Sequence, residues 1–157
     1  MSSRTMVDDL LDAAEELLLA KSDSAAFRRR AVSTAYYAAF HAVVGLCAET
    51  FASDAARTDT AYIRVYRALD HGPMANAFSQ APLRDHPIFR ATGQLIVQLK
   101  EERHLADYAP PDRSLFPAAQ VRASIDQARL IVDTLQDLDL NNRRLLATCL
   151  LFKERKS

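Results

Sequence analysis

Glycine is scarce in this 157-residue chain, and its three copies, Gly45, Gly72 and Gly93, lie far apart. A P-loop or a Rossmann turn needs several glycines within a few residues to wrap backbone amides round a phosphate, so nucleotide binding through either motif is excluded. Proline is missing from both ends. All six prolines fall between Pro73 and Pro117, which leaves long flanking stretches where helices lose no backbone hydrogen bond. Cysteine is limited to Cys47 and Cys149, in apolar helical contexts without a C-x-x-C spacing or a nearby histidine pair, a pattern of buried free thiols. The four histidines, His41, His71, His86 and His104, include no pair at i,i+3 or i,i+4, so no local metal motif exists and neither a metal nor a cofactor is expected. No serine or cysteine sits in a glycine-flanked elbow, which sets triad hydrolysis aside. Net charge is also lacking, because twenty Lys and Arg balance twenty Asp and Glu. Binding to nucleic acid or to an acidic membrane would therefore depend on a local patch. Only four of the basic residues are lysines, and the arginine excess in an alanine-rich chain reads as the coding bias of a GC-rich genome.

What is present is 49% hydrophobic and 25% charged residues, enough for a core in one ordinary soluble domain over residues 1–157. Asp8, Asp9, Asp12, Glu15 and Glu16 interrupt the leucine-rich N-terminus, which excludes the apolar centre of a secretory signal and leads to a cytoplasmic expectation. Ala31 to Ala48 contains no charge and is long enough for a membrane helix. Ser33, Thr34, Tyr36, Tyr37 and His41 within it favour a buried bundle helix, with no membrane partner.

Spacings of three and four recur along the chain, and nothing alternates with the two-residue period of a strand. They predict a helix over about Thr5–Ala20 with Met6, Leu10, Ala13, Leu17 and Ala20 inward, then a turn at Lys21-Ser22-Asp23-Ser24. A second helix runs to about Phe51 on a stripe of Val32, Tyr36, Ala39, Phe40, Val43 and Cys47. A third, about Thr58–Asp70, carries Ile63, Tyr66 and Leu69, with a stop at His71-Gly72-Pro73 where glycine takes the left-handed conformation. Met74 to Asp85 offers a helical turn or two and a loop. Asp85-His86-Pro87 caps a helix to about Tyr108 bearing Phe89, Leu95, Ile96, Leu99 and Ala106, ended by Pro110-Pro111. About Pro117–Leu138 follows on Val121, Ile125, Ala128, Val132 and Leu135, and about Asn141–Lys156 on Leu145, Leu146, Cys149, Leu150 and Phe152.

Two helical faces carry polar groups in register. Arg30, Thr34, Tyr37 and His41 fall at i, i+4, i+7 and i+11 beside the apolar stripe, either as border residues with wet tips or as one wall of a ligand site. In the Pro87–Tyr108 helix the Ile96, Leu99 stripe continues onto Arg103, which must pair or face a cleft. Asp107 stands one turn on, where an internal ion pair is the plain alternative to a site, and His104 and Tyr108 form a second i,i+4 pair on the adjoining face.

The run Arg29-Arg30-Ala31-Val32-Ser33-Thr34-Ala35-Tyr36-Tyr37-Ala38-Ala39-Phe40-His41-Ala42, taken with Glu102-Arg103-His104-Leu105-Ala106-Asp107-Tyr108, resembles the HEPN family of prokaryotic helical proteins over about residues 5–138. The resemblance implies an all-α, up-and-down antiparallel bundle with the 141–156 helix as an addition, the second and fourth helices touching along the Tyr36 and Leu99 stripes, and often a homodimer sharing a cleft. Many members are metal-independent ribonucleases, often toxins neutralised by a nucleotidyltransferase-type partner, with an arginine followed four to six residues later by histidine. Here His104 follows Arg103 directly, and Asp107, Tyr108 and Ala109 occupy the later positions. Two readings result. One is an RNA-binding or RNA-cleaving protein with Arg103, His104 and His41 as the catalytic set and Arg30, Tyr37, Asp107 and Tyr108 as the binding set. The other is a non-catalytic module that binds a protein partner or a nucleotide.

Overall fold

The computed structural model describes residues 3–53 and 55–155. Among them the chain is all helical, with no strand: α1 (Met6–Ala20), α2 (Ala25–Phe51), α3 (Thr60–Tyr66), α4 (His71–Phe78), a 3-10 turn (Leu83–Asp85), α5 (Pro87–Tyr108), α6 (Ala118–Gln136) and α7 (Leu140–Leu151). Two compact units divide it. The first combines the segment ending at His41 with Leu95–Asp133, and the second combines Ala42–Gln94 with the segment from Thr134.

In the first unit α1 begins at a reciprocal cap. Thr5 Oγ1 accepts from the Asp8 amide at 3.2 Å, and the Asp8 carboxylate accepts from the Thr5 amide at 2.8 Å, a box that contributes about 1 kcal/mol. The inward row of α1 is Leu11, Ala14 and Leu18, one position along from the expected row, and Met6 is 49% exposed. Leucines at 10 and 17 and at 11 and 18 offer two equally apolar registers. Glu15 favours the second, since from that face its carboxylate reaches Arg122 and, at 3.5 Å, Arg129 on α6. The α6 stripe Val121, Ile125, Ala128 and Val132 is buried as read from the sequence, as is most of the first half of α2. By length and composition α2 would suffice to cross a membrane, yet 67% of its apolar window is buried inside the protein, as in a core helix.

The second unit departs most from expectation. Helix α3 ends at Tyr66, and His71-Gly72-Pro73 opens α4 instead of stopping a helix. Gly72 has no positive φ, and Pro73 lies in a first turn, where its missing N–H would have had no intrahelical acceptor anyway. Ile63 is 38% exposed, so Tyr62 and Leu69 hold this segment to the core. At the start of α5, within the expected Asp85-His86-Pro87 cap region, His86 is the capping residue: its Nδ1 accepts from the amide of Ile88 at 3.2 Å, and its ring lies 4.6 Å from Phe89. Gly93 of α5 admits Phe78 so closely that a Cβ would meet the Phe78 ring at 2.9 Å. Helix α7, which packs against α4 and buries Leu146, Ala147 and Leu150, belongs to this core. It stops at Leu151, and Lys156, its expected end, lies outside the described residues. Cys149 is only half-buried, whereas Cys47 is fully enclosed and burial pushes its thiol up to about 12.

Candidate functional site

The site residues read from the sequence all lie in the first unit, on α2 and the C-terminal half of α5. Arg103 occupies the core face of α5, one turn beyond buried Leu99, and its side chain is 12% exposed. Its guanidinium lies 5.2 Å from the ring centre of Tyr36 and 5.8 Å from that of Tyr37, an aromatic bed that attracts a cation through the ring quadrupoles. This contact joins α2 and α5 along the stripes expected to meet. Nη1 of Arg103 stands 3.7 Å from Asp107, a loose i,i+4 pair, while its Nε is buried without a hydrogen-bond partner. Tyr36 is fully enclosed, and that burial holds its hydroxyl proton well above the usual range against the opposing pull of Arg103.

The remaining residues divide by exposure. Tyr37 is half-buried, with its ring edge-on to Tyr36 at 5.6 Å. His41, one turn further along α2, is half-buried beside Phe40, and burial lowers its pKa below 6.5. It is therefore a neutral imidazole at neutral pH. His104 and Tyr108 are exposed and lean on each other at 4.9 Å, forming the separate pair that their spacing indicated. Arg30 is exposed and shares with Asp107 an open groove of about 590 Å³, bordered also by Arg29 and Arg113. The structure thus gathers Tyr36 and Tyr37 against Arg103, pairs Arg103 with Asp107, sets Arg30 and Asp107 on one groove, and turns His104 and Tyr108 to solvent.

No family model, curated protein or solved structure matches the chain. The HEPN resemblance rests on the residues quoted for it.

Two arginines that sequence reasoning passed over hold this region in shape. Arg29 reaches from α2 to the last turn of α5, where its Nε donates to the carbonyl of Ala106 at 2.6 Å and its terminal nitrogens donate to those of Ala109 and Pro110. These carbonyls close a helix that Pro110-Pro111 cannot extend, and a cation there also complements the helix dipole. Arg28, 6% exposed, donates to the carbonyls of Ser22, Arg113 and Phe116 and so fastens the 109–117 connection. Phe116 sits there at φ 56, a left-handed backbone that costs a non-glycine residue about 1 kcal/mol. Its enclosed ring and its bond to Arg28 hold it in that conformation. Arg143 repeats the device in the second unit, donating to the carbonyls of Gln136 and Leu138 at 3.0 Å beyond α6. Part of the arginine excess is therefore committed to helix ends. The available sequence signal was three arginines in a row at the start of a helix, where a dipole alone would disfavour them.

Proposed function

We propose that the chain is a HEPN-like protein, an up-and-down bundle that binds RNA on the α2–α5 face, with Arg103 as its central phosphate contact. The observation that supports this reading is the condition of Arg103. A guanidinium carries five donors, and here one buried donor is unpartnered while the carboxylate stands at a loose 3.7 Å. A phosphate at the Nη1 edge of this guanidinium would offer closer acceptors than Asp107 does, while Tyr36 and Tyr37 hold the guanidinium from the other side. Cleavage in the HEPN manner further requires an imidazole to move a proton at the ribose 2′-hydroxyl. His104, exposed and next to Arg103, and His41, neutral and acceptor-capable, are the candidates on this chain. The resemblance extends the proposal to a homodimer, with a nucleotidyltransferase-type protein as a further partner.

The test incubates purified protein with a mixed RNA pool in EDTA, followed by gel shift and product analysis. Wild type should shift RNA, Arg103→Ala should lose at least roughly tenfold in affinity, and His104→Ala should retain the shift and lose any cleavage. Light scattering at micromolar concentration should return the mass of a dimer, and a monomer mass would remove the shared cleft from the proposal. One observation favours the alternative reading, a non-catalytic module that binds a protein partner: Asp107 already sits with Arg103 as an internal ion pair. Absence of both shift and cleavage in wild type would select that alternative.

A further inference from the structure

We infer that the groove beside Asp107 recognises a phosphomonoester, the terminal phosphate of an RNA strand or of a nucleotide, through Arg30 and Arg113. The RNA source rests on the function proposed above, whereas the phosphomonoester chemistry comes from the groove itself.

With a volume of about 590 Å³ the groove falls in the size range of small-ligand sites. Ala25, Ala26 and Ala106 line part of it, so short side chains leave room for a ligand. Its charges divide into committed and uncommitted groups. Arg29 is spent on the carbonyls of Ala106, Ala109 and Pro110, Asp107 is paired with Arg103, and Asp112 accepts from the Ser114 amide at 2.9 Å and hydroxyl at 2.7 Å. Arg30 and Arg113 are both exposed, and neither side chain has a hydrogen-bond or ion-pair partner among the described residues. Arg30 and Arg113 therefore present two unpartnered guanidinium forks to a groove in which Asp107 stands 3.7 Å from Arg103 and Asp112 is hydrogen-bonded to Ser114. An anion that engages both forks needs several acceptor oxygens and more than one charge. A phosphomonoester offers three oxygens and between about −1.5 and −2 charges at neutral pH, while the internal phosphodiester of a strand carries a single charge. The match is with a strand end, not its middle. Pro111 and Arg113 also lie on the segment that Arg28 and Arg29 fasten, so the second fork is carried on an anchored connection.

Fluorescence anisotropy on the full chain tests the inference with oligoribonucleotides of one sequence bearing a 5′-phosphate, a 3′-phosphate or hydroxyls at both ends, and calorimetry adds adenosine monophosphate against adenosine. At least one phosphorylated ligand should bind roughly tenfold or more tighter than its unphosphorylated counterpart. In the Arg30→Ala/Arg113→Ala double variant that ratio should fall to near one, with circular dichroism confirming the fold. Equal binding within both comparisons overturns the inference, as does a ratio that survives the double variant. RNA binding that ignores the end group, together with equal binding of adenosine monophosphate and adenosine, refutes the inference and leaves the RNA reading standing. A preference for the monophosphate over adenosine, with no binding of any oligonucleotide, refutes the RNA reading and keeps the phosphomonoester site.

Discussion

Arg103 shows how one side chain can be read from a sequence and still be decided by its neighbours. An arginine at the end of the Ile96, Leu99 stripe had to pair or face a cleft, and it pairs loosely: Asp107 stands at 3.7 Å, two tyrosine rings lie against the guanidinium, and Nε remains unsatisfied. Arg103→Ala removes the cation over two rings and strips a mostly enclosed carboxylate of its partner, so it should cost about 1–3 kcal/mol in urea unfolding. Arg103→Lys retains charge but loses the flat contact, and should recover only part of that loss. An unchanged midpoint in Arg103→Ala would show that the aromatic bed does not hold the guanidinium.

At the scale of elements, helix ends and close approaches determine what the spacing of apolar residues leaves undetermined. His71-Gly72-Pro73 has the composition of a stop, but the same three residues are equally at home in a first turn, and Tyr66 ends α3 before they are reached. The glycines separate along the same lines. A methyl group at Gly93 would meet Phe78 at 2.9 Å, whereas one at Gly45 would meet nothing within 4 Å. Gly93→Ala should destabilise by about 1–3 kcal/mol through overpacking, and Gly45→Ala, in the middle of α2, should stabilise by about 0.5–1 kcal/mol through its helix propensity. Chemical denaturation of both variants checks the pair, and equal effects of the two would contradict the packing between α4 and α5.

For the molecule as a whole, acid acts in one direction. His41 is buried in its neutral form with a lowered pKa, so the unfolded chain takes up a proton at a pH where the folded chain does not. Its contribution is complete above pH 6.5 and is lost as the pH falls through the folded value. Glu15 is held low by its bond to Arg122, and Asp8 by its bonds to the backbone and hydroxyl of Thr5. Their contributions persist above the ordinary values of 4.5 and 3.8 and are lost only in stronger acid. Urea midpoints should therefore fall in two stages, the first setting in as the pH drops below the ordinary histidine value of 6.5 and the second below the ordinary carboxylate values of 4.5 and 3.8. His41→Gln should abolish the first stage, and a first stage that survives this change would assign it to another group.

The sequence by itself determined the helical class and the bounds of α1, α2 and α5, and it put Asp107 within reach of Arg103, because apolar spacing, proline position and i,i+4 neighbours are local properties. It also placed Arg30 and Tyr37 on one side of α2. Which of two leucine rows on α1 turns inward was left to tertiary structure, since Glu15 selects between them through partners more than a hundred residues away. Arg28 and Arg29 are the same kind of case. Apart from the carbonyl of Ser22, their acceptors are carbonyls between 106 and 116, and no pattern near position 29 announces a helix end so distant in the chain. The groove with its two uncommitted guanidiniums exists only because that connection is folded back against the start of α2, so its chemistry was decided in three dimensions.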